Sequence, residues 1–533
     1  MRELYVTTEL EPGSARAAAG GPGKSSAAGL VPRPRGAHAA ARPALLRRQA
    51  VASAGRTADP VAMASTLPIT PSRDAVSATR ATAADLAAAL VVATVVPLTL
   101  LQIPDAIAWA IPPRFASPGS ATGLLRASGL ALCAMVVAAP SGGLAVRRFR
   151  AWPVLIAGLG VFGAADILGS GARTIGQVGI DRSLHGAGAG VALAAVSALV
   201  AERPEHARRG LTGWWALCLM AGLAAAPELM RQRLSDGDWH AALQPYPWLT
   251  GIALGAAAVY ALAAAGALTE GTRNNFPPAE RARIALLMAP VAGMCATTIA
   301  VTYGRTDAVI AAAIAESIAL AGLGVMTGLS GSAAWLAVVG AVTGFAVAPA
   351  AGAVTDLVNL SPHSWLMLAA FVGGATAGGV VLAAILPARW AGIAISCGLA
   401  LAAMGFAAGY LVSLTGLTGR HGQLIAVAWA PVACGLAGAL ATALRRTGAA
   451  GAMCGTVLLL AGVMTGYLAD GAIELQAVSA GARRAAAVRG ALLTADSRWN
   501  IAAAAVTAAV ALGVFACSMT RSGLASHGTE TER

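Results

Sequence analysis

Four ionisable residues stand inside long apolar runs: Asp105, Asp181, Arg182 and His185. A charge in such surroundings is expensive unless it meets an opposite charge, a carbonyl or water, so each residue marks a candidate working part. Asp181 and His185 are four positions apart and share a face of a helix. They can therefore pass a proton, with imidazole titrating near neutral pH. Asp105 lies about seven residues, roughly 10 Å of helix rise, from the outward end of its run. Asp181 and Arg182 lie at a similar depth or less in theirs. A carboxylate and a guanidinium brought together there would neutralise each other, and protonation of either aspartate would release Arg182. The expectation is an outward-side proton and substrate switch made of Asp105, Asp181, Arg182 and His185. Asp166 and Glu316 sit deeper and are secondary candidates. Either can instead be a protonated structural acid bonded to a neighbouring carbonyl. Glu228, three residues before Arg231, reads first as an interfacial salt bridge.

The elements that must hold these residues follow from composition. Of 533 residues, 57% are hydrophobic and only 11% charged. That chain cannot hide its apolar surface from water, and the runs of about 20 apolar residues match a hydrocarbon core roughly 30 Å thick. Spans are expected near 86–111, 121–145, 152–172, 177–201, 210–229, 247–268, 284–303, 308–328, 332–355, 364–386, 390–414, 422–443, 449–469 and 499–519. The loops at Arg147-Arg148-Phe149-Arg150, Arg203 to Arg209, Arg273 to Arg283, Arg389 and Arg445-Arg446 hold twelve Arg, against half that number in the first six outward loops. This bias supports both termini in the cytoplasm, and a multi-pass protein of the plasma membrane is expected.

The expected organisation is a disordered basic tail over 1–81, a six-helix bundle over 82–269, a connection and inserted helix pair over 270–330, a second six-helix bundle over 331–519 with a long outward loop at 470–498, and a cytoplasmic tail over 520–533. Residues 1 to 80 carry 11 Lys/Arg and 5 Asp/Glu, which puts +6 of the net charge of +13 in the tail. Basic residues spread in this way are topology signals, and nucleic-acid binding is not expected. Gly20-Gly21-Pro22-Gly23-Lys24-Ser25 looks like part of a phosphate loop, but Ala18 replaces the first glycine and no apolar strand precedes it. No secretory signal peptide is expected, and Met63 is an alternative start. The seven cysteines each stand alone in an apolar run and read as small buried side chains. The Trp residues at 109, 152, 248, 365, 390 and 499 fall near span ends and read as interface anchors.

Arg182-Ser183-Leu184-His185-Gly186-Ala187-Gly188-Ala189-Gly190 resembles the fourth-helix motif of the major facilitator superfamily, with His185 at the usual glutamine position. The resemblance implies a proton-coupling role for Arg182. The loop from Gly142 to Arg150 resembles that family's gating loop: Gly142, Leu144, Arg147 and Arg150 match, while Val146 replaces its aspartate and Phe149 its second glycine. The segment from Gly222 to Arg231 resembles the antiporter motif through Gly222 and Pro227, with Ala226, Met230 and Arg231 departing from it. Ala110-Ile111-Pro112 resembles the end of the first-helix motif. Order, loop signs and span number are similar to the fourteen-helix drug:proton antiporter branch, over about residues 86 to 519. For Asp166 the family's peripheral third helix favours the structural reading.

The fold class expected is therefore all-α integral membrane, major-facilitator-type: two six-helix bundles plus an inserted pair. The expected function is alternating-access, proton-coupled export of a small hydrophobic or amphipathic compound by a monomer, its partners being substrate, protons and the lipid bilayer. No cofactor or metal is expected, and enzyme signatures such as HExxH and GxSxG are missing. The alternatives are a non-transporting membrane scaffold or assembly partner on a transporter fold, and a lipid-carrier flippase.

Overall fold

The computed structural model describes residues 73–104, 111–112, 115, 117–234, 239–244, 246–265, 278–302, 306–328, 333–358, 364–382, 385, 387, 390–414, 422–479 and 485–527. Asp105 and the tail before Arg73 lie outside them. Fourteen α-helices run through the described residues: α1 Arg73–Leu100, α2 Pro118–Phe149, α3 Ala151–Gly169, α4 Ile175–Glu202, α5 Glu205–Leu234, α6 Pro247–Ala265, α7 Pro278–Thr302, α8 Thr306–Gly328, α9 Ala333–Val358, α10 Ser364–Thr376, α11 Ala391–Leu414, α12 Gly422–Arg446, α13 Ala449–Ser479 and α14 Ala485–His527. Among the described residues, ten helical segments are long and apolar enough to cross a membrane, and four shorter apolar stretches lie in α7, α8, α9 and the α10 region. Helix is the form such sequences take in lipid, because it satisfies every backbone polar group within its own segment.

The packing has a repeat in it. In the first half α4 lies against α2 and α3, α1 against α5 and α6, and α3 against α6. In the second half α12 lies against α10 and α11, α9 against α13 and α14, and α11 against α14. Each pairing in one bundle thus has its counterpart eight helices later. The inserted pair touches both bundles, with α7 on α2 and α8 on α13 and α9.

Close helix approach depends on glycine at particular places. A Cβ at Gly186 would collide with the carbonyl oxygen of Ala131, and one at Gly190 with that of Met135, so α4 and α2 touch backbone to backbone. The second bundle repeats the device where Gly378 meets Cys434. Contacts of this kind supply dispersion in a medium that offers no hydrophobic drive between helices.

Several expectations are revised. Residues 470–479 complete α13 and 485–498 begin α14, so most of the expected outward loop is helical. The segment is rich in Ala, the strongest helix former, which offsets its charges. The first helix starts at Arg73 and ends at Leu100, with a turn over Leu101–Pro104, so it is set earlier in the chain than its apolar run implied. Trp499 is not an interface anchor: it is 2% exposed, donates to Ala346 O at 3.4 Å and packs on Phe345. Trp248 and Trp390 are exposed, as anchors would be. Cys397 and Cys517 are exposed, while Cys133 and Cys295, far apart in sequence, meet inside.

Candidate proton and substrate site

The start of α4 is fixed locally. Thr174 accepts from the Gln177 backbone N–H at 3.2 Å, and the Gln177 side chain accepts from the Thr174 N–H at 3.1 Å, a reciprocal cap readable in the sequence. From that start, Asp181 lies about 9 Å, Arg182 about 10 Å and His185 about 15 Å along the axis. All three are buried, at 1%, 2% and 0% exposure. The helix carries them from near one end to its middle.

Arg182 turns toward α1 and α2. Its Nη1 donates to Gln102 Oε1 at 2.6 Å, its Nη2 to Gln102 O at 3.1 Å, and its Nε to Ser128 O at 3.4 Å. The fork of a guanidinium suits this set of acceptors in a way that the single ammonium of a lysine would not.

His185 turns the other way, toward α3 and α6. Its Nε2 lies 3.0 Å from Asp166 Oδ1, its Nδ1 lies 3.2 Å from the carbonyl of Asp181, and the Phe162 ring sits edge-on at 4.8 Å. Thr250 on α6 donates to the second oxygen of Asp166 at 2.6 Å. A carbonyl can only accept, so Nδ1 carries a hydrogen. The bond between Nε2 and Asp166 then needs one further proton, which rests either on the imidazole, as an imidazolium–carboxylate pair, or on the acid, facing a neutral ring. With Nδ1 protonated, the geometry calls for a single proton between the two groups.

Asp181 has both carboxylate oxygens buried without a hydrogen bond. Its Oδ2 is nonetheless 3.3 Å from His185 Nδ1, close enough for charge attraction though not aligned for a bond. A Cβ added at Gly169 would lie 3.0 Å from Asp181 Oδ1, so the bare backbone of α3 makes room for this acid.

Of the expected switch, the structure brings together Asp181 and His185 and adds Asp166, while Arg182 turns from the same helix to Gln102 and Ser128. Asp105 falls outside the described residues. The reading of Asp166 as a structural acid bonded to a neighbouring carbonyl is revised in its partners, which are His185 and Thr250. Gln102, Ser128, Thr250 and Gly169 were not anticipated. Gln102 and Thr250 are polar residues in apolar runs and could have been flagged by that criterion, whereas Ser128 contributes a backbone carbonyl and Gly169 an absence of side chain, neither of which leaves a signal.

The motif residues take these places. Gly142 lies against Val191 of α4, where a Cβ would come within 2.9 Å of its Cα. Val146, at the position of the family's aspartate, is fully buried. Arg147 is half-buried at the end of α2. Arg150 joins α2 to α3 with φ 67°, a left-handed conformation that a non-glycine residue adopts under strain. Gly222 faces α1, where a Cβ would come within 2.6 Å of Leu100 Cδ1, and Pro227 is buried inside α5. Glu228 pairs with Arg231 at 2.7 Å, one turn away on the same helix. Glu316 is buried between α7 and α8, where its Oε1 lies 2.9 Å from Thr298 Oγ.

The two bundles meet at the end where α4 stops and α5 starts. Thr456 Oγ donates to Ser197 Oγ at 2.7 Å, Arg445 Nε lies 3.3 Å from Glu205 Oε1, and Gly213 and Gly379 touch through their backbones. Glu205 is also held by Arg208 at 2.5 Å and Arg209 at 3.3 Å. This cross-bundle ion pair, 240 positions apart in sequence, was not anticipated.

Comparison with solved structures bears on the fold. The major facilitator superfamily proton:xylose symporter XylE, bound to 6-bromo-6-deoxy-D-glucose, aligns with a TM-score of 0.52 at 12% identity, covering 80% of this chain and 95% of that one. A bacterial homologue of the human drug peptide transporters PepT1 and PepT2 aligns with a TM-score of 0.52 at 15% identity, covering 83% and 99%. The chain has the major-facilitator fold. It is a multi-pass, all-α membrane protein with an inserted helix pair between two six-helix bundles. No family model and no curated protein matches the sequence.

Proposed function

We propose that the chain is a secondary active transporter of the plasma membrane that exports a small hydrophobic or amphipathic compound in exchange for protons, working as a monomer with both termini cytoplasmic. The observation that carries this reading is the 3.0 Å contact between His185 Nε2 and Asp166 Oδ1, which calls for one shared proton, beside the unbonded carboxylate of Asp181, with the Arg182 guanidinium on the same helix. With that proton bound, these four groups sum to zero charge: two carboxylates against one guanidinium and one imidazolium. Losing it leaves the site one unit more negative in a low-dielectric interior, which costs several kcal/mol unless a cation replaces it. A weakly cationic substrate is such a replacement, and the alternation of proton and cation is antiport.

The fold supplies the second requirement, two bundles able to rock about their shared interface. Contacts between the bundles at Ser197–Thr456, Glu205–Arg445 and Gly213–Gly379 all lie toward the proposed cytoplasmic end. They close that end and fit an outward-facing or occluded state. Glu205 takes on the closing charge contact that Val146 cannot make. Sugar and peptide transporters share the fold, so fold leaves the substrate open, and the scarcity of fixed charge favours an apolar or weakly cationic one.

Proteoliposomes containing the full chain and a pH-sensitive dye, with an imposed gradient, test the proposal. Lipophilic amines and cations added as a panel should drive proton release for at least one member, and D166N should abolish that release. A panel that binds but moves no proton in the wild type would overturn proton coupling. Substrate flux equal in empty and loaded vesicles would overturn transport.

A further inference from the structure

Glu316 lies in α8, far in sequence from the acids and the histidine above, and is 2% exposed. Its Oε2 has no hydrogen-bond partner, and no cation lies within ion-pair distance of it among the described residues. Thr298 Oγ is 2.9 Å from its Oε1 and 3.1 Å from the carbonyl oxygen of Met294. A hydroxyl has one hydrogen, and a carbonyl can only accept. When Thr298 donates to Met294, the short contact to Glu316 is satisfied if the acid donates its own O–H to Thr298 Oγ. A bare carboxylate here would be an uncompensated charge in an apolar interior, a cost that groups of this kind avoid by taking up a proton.

Among the described residues the surroundings add no positive charge. The Cys295 thiol approaches Cys133 O at 3.5 Å and Met464 Sδ at 3.6 Å, and the thiols of Cys133 and Cys295 are the titratable groups that feel Glu316. These residues come from α2, α7 and α13, while α8 itself lies on α13 and α9. The acid thus stands at the seam where the inserted pair meets both bundles. A motion that parts α7 from α2, or α8 from α13, would open this place to water.

We propose that Glu316 is a second proton-binding site, separate from the His185–Asp166 pair, which stays protonated while the inserted pair is seated against both bundles and gives up its proton when that seam opens. The inference does not depend on transport: the proton and the seam can be observed without any substrate.

Infrared spectroscopy of the full chain in lipid tests it. The difference between wild type and E316Q at neutral pH should contain the carbonyl stretch of one protonated carboxylic acid. T298V, which removes the oxygen that receives the acid's O–H, should move that stretch to higher wavenumber without abolishing it. Should E316Q fail to fold, the T298V shift alone decides. A difference spectrum with carboxylate stretches and no acid band overturns the proposal, and so does an unmoved band in T298V. As the pH is raised until the acid band disappears, labelling of Cys295 by a membrane-permeant maleimide should rise at the same pH, relative to the exposed Cys397 as internal reference. A Cys295 ratio that stays constant across that change overturns the link to the seam.

Discussion

Replacing Asp166 in two different ways separates the proton from the packing. In D166N the side-chain amide can donate to His185 Nε2 of a neutral ring, and its carbonyl can accept from Thr250. Both hydrogen bonds of the native acid, 3.0 Å and 2.6 Å long, are kept, and only the shared proton is lost. The cost in stability should therefore stay within about 1 kcal/mol, since no buried polar atom is left unmatched. In D166A two partners are abandoned in a buried place, the Nε2 atom and the Thr250 hydroxyl. At about 1–3 kcal/mol each, the expected cost is about 2–5 kcal/mol. Thermal unfolding of the purified chain, followed through its 11 tryptophans, ranks the two variants. Potentiometric titration in unbuffered detergent from about pH 10 down to about pH 4, a range wide enough to include release of the shared proton, counts the protons. D166N should take up one proton fewer than wild type over that range. If D166N takes up as many protons as wild type, or is as unstable as D166A, the shared-proton reading of His185 and Asp166 is wrong.

Three further outcomes are expected. R182K keeps the charge and loses the forked contacts to Gln102 and Ser128; it should lose about 1–3 kcal/mol of stability, and R182K with Q102E should recover part of it, both read by thermal unfolding. G186A places a methyl against the Ala131 carbonyl, where backbone meets backbone, and should cost at least about 1–3 kcal/mol and broaden the elution profile, while G160A, facing open space on α3, should do neither. Glu205 and Arg445 form a partly exposed pair across the bundles, so E205A should change stability by under about 1 kcal/mol. It should nonetheless lengthen spin-label distances across the proposed cytoplasmic end, and the reversed pair E205R with R445E should shorten them again. Unchanged distances in E205A would remove the pair from the closing contact.

The membrane fold and the number of helices were legible in the sequence because they depend on a quantity that adds along the chain, apolar run length against bilayer thickness. The glycine run of α4 and the shared face of Asp181 and His185 were legible for a related reason. They are local, set by spacings of three and four residues. The inserted helix pair was legible as a count, although not as a wedge seated on α2 and α13.

Partners were decided by the fold. Arg182 lies beside Asp181 in sequence, yet the helix turns it about 100° away, toward Gln102 and Ser128, while Asp181 and His185 face α3. Asp166 became part of the site because α3 packs on α4 where Gly158 and Gly188 let the two backbones approach, a contact that nothing in the Asp166 neighbourhood announces. Glu205 and Arg445, and likewise Cys133 and Cys295, are brought together only by packing between distant helices. Hydropathy is a sum over neighbours along the chain and can be read from it. Which side chains meet across helices depends on rotation and crossing of whole helices, and those are fixed by glycine contacts between different helices, such as Gly186 on Ala131 and Gly213 on Gly379.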